Sequence, residues 1–80
     1  MHWQVYIIKC KDKTLYTGIT NDLERRIKAH NSGNGCRYTK YRYPVKLIHS
    51  EQQPTRVEAL KREAYIKGLP RRKKLNLATK

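Results

Sequence analysis

Residues 5–20 contain two short runs of β-branched and aromatic side chains, separated by the polar cluster Lys11-Asp12-Lys13. This pattern predicts two antiparallel strands joined by a tight turn. We expect a register that sets Tyr6 opposite Tyr16, so that both phenols project from one face of the hairpin. The two phenols are then either a functional pair of hydroxyl groups or an ordinary cross-strand aromatic pair.

The length of the chain limits it to one small domain with a thin core. Eighty residues bury only about 60% of the surface that the unfolded chain exposes, so we expect a single domain over residues 1–80. Residues 3–10 carry apolar side chains on both faces of the first strand, which indicates a sheet covered by helices on both sides. We expect a core of valine, isoleucine, leucine and alanine, with Trp3 packed beside Val5 and Ile7.

Positive charge is the strongest compositional signal. Nineteen lysines and arginines against six acidic residues give a formal net charge of +13, which attracts polyanions, nucleic acid ahead of an anionic membrane. No apolar run approaches the roughly 18 residues of a membrane span, and no signal peptide precedes the first strand, so we expect a cytoplasmic protein. Cys10 and Cys36 lack the spacing of a zinc site or a disulfide framework, and we interpret both as plain thiols.

After the hairpin the hydrophobic pattern becomes helical. Leu23 and Ile27 mark the buried stripe of a helix over residues 22–30, and Asn21 with Glu24 forms a near capping box at its start. The sequence therefore predicts a first helix directly after the hairpin.

Two adjacent arginines on this helix have different environments. On a helical wheel Arg26 and His30 lie beside the buried stripe, whereas Arg25 points nearly opposite and is solvated. From the residues alone, Arg26 is either a snorkelling side chain paired with Asp22 one turn earlier or a functional cation.

A polar loop over residues 31–44 follows the helix. It alternates cations and tyrosines, a composition that suits phosphate contacts and base stacking but also a merely solubilising loop. Pro44 then opens a third strand over residues 45–49, at a sheet edge. We interpret His49 as structural, since it has no partner at metal-ligand spacing.

The second half of the chain predicts a longer helix. Thr55 is its N-cap with Glu58 as the capping-box partner, and the helix continues to Lys67 before Gly68 and Pro70 end it. The basic tail over residues 70–77 predicts a further short helix in which Leu75 packs against the domain.

One carboxylate interrupts the apolar face of the longer helix. Ala59, Leu60 and Ile66 define the face that must be buried, and Glu63 lies in its middle. A buried carboxylate is costly unless it is paired, so Glu63 either holds a metal ion or pairs with a cation. The candidate cations are Arg26, Arg56 and Lys67.

The residues quoted so far resemble the GIY-YIG nuclease superfamily. Its two half-motifs read Gln4-Val5-Tyr6 and Tyr16-Thr17-Gly18 in this chain. In that family an essential arginine follows the glycine by eight positions and a tyrosine or histidine comes four further on, which are Arg26 and His30 here. A glutamate on a late helix holds the divalent ion in the family, and Glu63 matches its place.

Segments 15–20, 22–26 and 30–31 are most similar to small stand-alone bacterial members, and more distantly to the nuclease domain of the ABC excinuclease. In the latter a lysine commonly follows the glycine, and Ile19 stands there in this chain. The resemblance covers nearly the whole chain. It implies an α+β fold in which a small three-stranded antiparallel sheet, in β-β-α-β-α-α order, is covered by helices.

The resemblance also implies a chemistry. Glu63 holds one Mg²⁺ or Mn²⁺, and Arg26 adds positive charge at the scissile phosphate. One of Tyr6 and Tyr16 deprotonates the attacking water, with the choice left open, and His30 relays the proton near neutral pH.

We therefore expect a metal-dependent endonuclease that acts on nucleic acid, DNA ahead of RNA, with structure or strand selectivity. The expected nucleic-acid contacts are Arg37, Tyr38, Lys40, Arg42, Lys67 and Arg71. The alternatives are a basic nucleic-acid-binding module without catalysis and an adaptor that docks on a larger repair protein. Salt-sensitive binding that ignores divalent ions would indicate the former.

Overall fold

Three strands and three helices make up the fold. The structure is a computed structural model that describes residues 2–78. The elements are β1 (Trp3–Lys9), β2 (Leu15–Thr20), α1 (Leu23–Asn31), β3 (Lys46–Gln53), α2 (Arg56–Lys67) and α3 (Arg71–Ala78). The strands form one antiparallel sheet in the order β2-β1-β3. The predicted α+β class and element order are confirmed.

The central strand β1 supplies both cores of the molecule. Alternate side chains of a strand point to opposite faces, and residues 5–8 are all buried. Val5 and Ile7 pack with Ala59 and Ile66 of α2, and Trp3 lies against this cluster as expected. The second cluster, on the other face, consists of Tyr6, Ile8, Cys10 and Val45, with Leu23 and Ile27 of α1 beside it. The predicted burial of both sheet faces is confirmed.

The core differs in composition from the expected set of aliphatic residues. The largest fully buried side chains include Tyr6, His30 and Thr39, whereas no leucine of residues 2–78 is buried. Most polar side chains in a core are hydrogen-bonded, and these three form one connected polar network.

The hairpin register also differs from the prediction. The Cys10 amide donates to the Thr14 carbonyl at 2.8 Å, which closes a loop over residues 11–13 and aligns Tyr6 with Gly18 and Ile8 with Tyr16. Tyr6 and Tyr16 are therefore diagonal rather than opposite. Both still project from one face, because the shift is two residues.

The third strand is longer than predicted and runs on through residues 50–53. Its polar second half resembles a loop in sequence, yet its backbone pairs with β1 as far as Trp3 and Gln53. Glu51 in this half accepts two hydrogen bonds from Arg62 of α2, at 2.7 and 2.9 Å, and one from His49 at 2.8 Å. The structural interpretation of His49 fits this contact.

Each longer helix has a clear N-cap. On α1 the cap is Asp22, whose side chain accepts a hydrogen bond from the Arg25 amide, so the predicted box from Asn21 is wrong. On α2 the predicted cap Thr55 is confirmed, since it accepts from the Glu58 amide.

The buried side of α2 is narrower than the sequence predicts. Ala59 and Ile66 are fully buried, but Leu60 is 39% exposed. The sheet is only three strands wide, so α2 rests on it along a single line of residues. On α3, Leu77 packs against the core cluster and Leu75 is half-buried, so the predicted anchor is shifted by two residues. No helix within residues 2–78 has the length and apolarity needed to cross a bilayer.

We expect Ile66→Ala to lower the free energy of unfolding by about 2–5 kcal/mol, because it leaves a cavity at the centre of the contact between α2 and the sheet. Leu60→Ala removes a side chain of similar size from the same helix and should cost no more than about 1 kcal/mol. Urea unfolding followed by circular dichroism measures both values. An equal loss of unfolding free energy in the two variants would contradict the burial of Ile66, rather than Leu60, between α2 and the sheet.

Candidate active site

Tyr6 is the centre of the polar network within the core. Its side chain is 1% exposed, and its hydroxyl lies 2.9 Å from Nε2 of His30 on α1. Gly18 on β2 makes room for the phenol, since a Cβ there would lie 2.5 Å from the Tyr6 hydroxyl oxygen. The glycine of the second half-motif is therefore required by packing against the tyrosine of the first.

A chain of hydrogen bonds defines the protonation of His30. Nδ1 of His30 lies 2.7 Å from the Thr39 hydroxyl, which donates its own proton to the Cys36 carbonyl at 3.5 Å. Nδ1 must then carry the hydrogen, which leaves Nε2 to accept from the Tyr6 hydroxyl. Gly35 packs against this ring so closely that a Cβ there would overlap it.

His30 is neutral at physiological pH. Burial, with the Arg26 charge as a second cause, lowers the pKa of His30 from 6.5 to about 4. The predicted uptake of a proton near neutral pH is therefore wrong for the free protein, in which His30 acts as a hydrogen-bond acceptor.

Arg26 extends from α1 to the same phenol. Its Nε donates to the Tyr6 hydroxyl oxygen at 3.3 Å, whereas the Asp22 carboxylate is used as the helix cap. The interpretation of Arg26 as a snorkelling partner of Asp22 is therefore wrong. Within residues 2–78 the guanidinium makes no ion pair, which leaves its terminal amino groups free for an anion.

A polar cleft of about 370 Å³ opens beside Arg26 at the start of α1. It is lined by Thr20, Asn21, Asp22, Arg25, Arg26 and Ala29. Arg25 is exposed as predicted, and with Arg26 it gives this cleft two cations.

Tyr16 is the more accessible of the two phenols. It is partly exposed, and its ring lies 6.5 Å from that of Tyr6 and 5.6 Å from that of His30, measured between centroids. Burial, followed by a hydrogen bond with Cys36, raises the pKa of Tyr16 above its ordinary value. Burial likewise raises the pKa of Tyr6, although Arg26 opposes the shift. Both phenols are therefore protonated in the free protein.

Glu63 is linked to the phenols through Lys67. Its side chain is 17% exposed, and its Oε2 lies 3.5 Å from the Lys67 ammonium, one of the three candidate partners. That ammonium is 6.0 Å from the centroid of the Tyr16 ring, and the Glu63 charge contributes to the raised pKa of Tyr6. The structure thus brings Tyr6, Tyr16, Arg26 and His30 into one cluster, whereas Glu63 is linked to that cluster through Lys67.

The predicted nucleic-acid contacts divide into two groups. Tyr38, Arg42 and Lys67 make contacts within the protein, to Tyr16, Asp12 and Glu63 respectively. Arg37, Lys40 and Arg71 are exposed and make no ion pair within residues 2–78. Among the described residues no carboxylate neutralises the charges of this second group, although the Lys40 ammonium lies 5.5 Å from the centroid of the Tyr41 ring.

Three residues of the site escaped sequence reasoning. Thr39 fixes the His30 tautomer, Gly35 makes room for the imidazole, and Asp12 anchors Arg42. None belongs to a periodic pattern, because each acts through a contact between distant segments. Gly35 is the one signal in the sequence that could have indicated a close approach of the loop to another residue.

Gly18→Ala should displace the Tyr6 phenol, because the added methyl group overlaps its oxygen. We expect the free energy of unfolding to fall by about 1–3 kcal/mol. Gly68→Ala is the matched control, since a Cβ at position 68 comes no closer than 3.5 Å to another atom, and it should be nearly neutral. Urea unfolding compares the two variants. A Gly18→Ala protein as stable as Gly68→Ala would contradict the close packing of Tyr6 on Gly18.

The stability of the domain should fall between pH 6.5 and 5. His30 binds a proton near pH 6.5 when unfolded but only near pH 4 when folded, so acidification favours the unfolded chain. The slope approaches 1.4 kcal/mol per pH unit, and about 3 kcal/mol is lost by pH 4. Urea unfolding at several pH values measures the slope, and His30→Gln should flatten it between pH 5 and 6.5. An unchanged slope in that variant would contradict a neutral buried imidazole.

Comparison with known proteins places this geometry in a family. Residues 2–76 match the profile described as the GIY-YIG catalytic domain. The chain is 59% identical over 73 residues to a UPF0213 protein of Clostridium perfringens, covering 91% of this chain and 78% of that protein. It is 55% identical over 73 residues to a UPF0213 protein of Staphylococcus saprophyticus, covering 91% and 89%.

Two solved structures share the fold. The solution NMR structure of a UPF0213 protein from Bacillus halodurans is 46% identical, with a TM-score of 0.62, and the match covers 99% of this chain and 84% of that one. The solution NMR structure of a protein from E. faecalis is 41% identical, with a TM-score of 0.65, covering 95% and 81%. With its two half-motifs on neighbouring strands around a shared phenol cluster, this chain belongs to the GIY-YIG family and resembles its small UPF0213 members.

Proposed function

We propose that residues 1–80 form one nuclease domain that hydrolyses phosphodiester bonds in nucleic acid with the help of a divalent ion. The observation that carries the proposal is the cluster of two phenols, an imidazole and a guanidinium from two strands and α1, to which the Glu63 carboxylate of α2 is linked through Lys67. DNA is the proposed substrate ahead of RNA, as the family resemblance suggests, with selection by structure or strand rather than by sequence.

Arg26 is the proposed phosphate ligand. Hydrolysis needs neutralisation of charge on the phosphoryl oxygens, and a fixed guanidinium supplies it without rearrangement during the reaction. The Tyr6 oxygen holds Nε of Arg26 at 3.3 Å, which directs the free amino groups toward the cleft. Tyr6 therefore orients Arg26 and is itself out of contact with solvent.

Tyr16 is the proposed residue at the attacking water. It is the phenol with solvent exposure, and it lies against His30 and close to Lys67. Its raised pKa opposes loss of the proton in the free protein, so Tyr16 orients the water as a neutral phenol. It would accept a proton from that water only after added positive charge had favoured loss of its own proton to solvent. His30, neutral and fixed by Thr39, holds the phenol cluster in one arrangement.

Glu63 fits a single divalent ion. Residues 2–78 contain no cluster of three or more acidic, histidine or cysteine ligands, but Mg²⁺ and Mn²⁺ can bind through one carboxylate while keeping most of their waters. The Lys67 ammonium lies 3.5 Å from Glu63, so a divalent ion at this carboxylate would displace it. A bound ion would supply positive charge to the phosphate and the departing oxygen.

The exposed cations Arg37, Lys40 and Arg71, together with the 83% exposed ring of Tyr41, are the proposed track for the nucleic-acid strand. Cations bind phosphates and exposed rings stack on bases. The free thiols of Cys10 and Cys36 support a reducing, cytoplasmic location as part of the same proposal. A larger repair or recombination protein is an alternative partner, which the sequence does not specify.

The test is cleavage of labelled single-stranded, duplex, flap and branched DNA, and of RNA, with Mg²⁺ or Mn²⁺. We expect the native protein to cut at least one form, EDTA to abolish cutting, and Glu63→Gln to lower kcat at least about a hundredfold. Glu58→Gln is the matched control, because this exposed carboxylate on the same helix lies 3.7 Å from Lys61 and should not affect turnover.

Three results would contradict the proposal. The native protein could cut no substrate while binding nucleic acid in a salt-sensitive way, which is the behaviour of a binding module. Glu63→Gln could cut as fast as the native protein. A tyrosyl-phosphate adduct trapped on Tyr6 or Tyr16 would replace hydrolysis by water with nucleophilic catalysis by tyrosine.

A further inference from the structure

The ring of Tyr16 is covered by a column of two side chains from the loop between α1 and β3. Tyr38 stacks on Tyr16, with centroids 5.6 Å apart and planes inclined by 28°. The guanidinium carbon of Arg42 lies 4.4 Å from the centroid of the Tyr38 ring. On another side His30 meets Tyr16 edge-on at 5.6 Å, so the Tyr16 ring is held between the loop and α1.

The outer end of the column is fixed to the hairpin turn. Nε of Arg42 donates to Oδ2 of Asp12 at 3.0 Å, and Nη1 of Arg42 donates to the Tyr38 carbonyl at 2.7 Å. The Lys11 amide also donates to the Arg42 carbonyl at 2.8 Å. Asp12 therefore holds Arg42 over Tyr38 from the turn that leads into the strand carrying Tyr16.

We propose that Tyr38, Arg42 and Asp12 are positioning residues that hold the Tyr16 ring in its working orientation, and that Tyr38 and Arg42 are not ligands for nucleic acid. The inference rests on the proposed function, because it gives Tyr16 the water-orienting role. A phenol that turns about its side-chain bonds moves its oxygen by more than an ångström, and displacements of that size slow well-oriented reactions about a hundredfold.

Charge distinguishes this role from phosphate binding. If Arg42 bound a phosphate, Asp12 would compete with the nucleic acid, and removing its charge would tighten substrate binding. If Arg42 braces Tyr38, the same change loosens the column and slows turnover. Asp12→Asn suits the test because an amide oxygen can still accept from the Thr14 amide and hydroxyl, which lie 3.1 and 2.6 Å from Oδ1 of Asp12.

The experiment compares kcat and KM of Asp12→Asn, Arg42→Gln and Tyr38→Leu on the substrate that the native protein cuts. We expect kcat to fall roughly ten- to a hundredfold in each, with KM unchanged. Tyr38→Phe keeps the stacked ring, so its kcat should stay close to that of the native protein. Tyr65→Leu is the matched control, because Tyr65 also lies under an arginine, Arg62 at 5.2 Å, but on the outer side of α2.

A second readout does not depend on cleavage. The Tyr38 ring shifts the proton resonances of the Tyr16 ring, so Tyr38→Leu and Asp12→Asn should change the NMR shifts of Tyr16, whereas Tyr65→Leu should not. Unchanged Tyr16 resonances in the first two variants would overturn the positioning role, even if activity falls.

The kinetic outcomes separate this inference from the proposed function. A higher KM with unchanged kcat in Tyr38→Leu, or a lower KM in Asp12→Asn, would make the column a nucleic-acid ligand and leave the nuclease assignment intact. If the native protein cuts no substrate, both the proposed function and the catalytic role of the column are wrong. Changed Tyr16 resonances would then still support the packing of the column on Tyr16.

Discussion

The buried hydrogen bond between Tyr6 and His30 joins the central strand of the sheet to α1, and the candidate site depends on it. Two polar side chains within a core are costly unless each has a partner. Here Tyr6 satisfies Nε2 of His30 at 2.9 Å, and Thr39 satisfies Nδ1 at 2.7 Å. The pair also sets the position of Arg26, which donates to the same phenol oxygen. A single contact therefore determines where sheet, helix and loop meet.

The narrow sheet explains why so small a chain can hold such a site. Because β1 is buried on both faces, its alternate side chains can serve different purposes. Val5 and Ile7 attach α2 through purely apolar contacts, while Tyr6 on the opposite face carries the polar network. Glu63 and Lys67 lie on α2, yet the Lys67 ammonium comes within 6.0 Å of the Tyr16 ring. Since β2 is an edge strand, side chains from α2 can reach around it to the phenols.

Sequence reasoning succeeded where a periodic pattern carries the information and failed where a tertiary contact does. The helical positions of Arg26 and Glu63 follow from spacing; Arg26 contacts Tyr6, and Glu63 is linked to Tyr16 through Lys67. Residues 50–53 are polar and carry no strand pattern in the sequence. They form a strand because their backbone pairs with β1. Tyr38 and Arg42 were predicted to bind nucleic acid because one is aromatic and the other is charged. The sequence does not show that Tyr38 stacks on Tyr16 or that Arg42 pairs with Asp12. Thr39 left no signal, because its role exists only once His30 is buried.

The charges around the two phenols determine what would make either of them a base. The Glu63 charge raises the pKa of Tyr6 and the Arg26 charge lowers it, while burial favours the protonated form of both phenols. A phosphate bound at Arg26 adds negative charge, which makes loss of a phenolic proton harder still. Positive charge added beside Glu63 acts in the opposite direction. On the proposed function, a phenol of this site therefore becomes an effective base only when a cation is bound beside Glu63, so that nucleic acid bound without the ion is not cleaved.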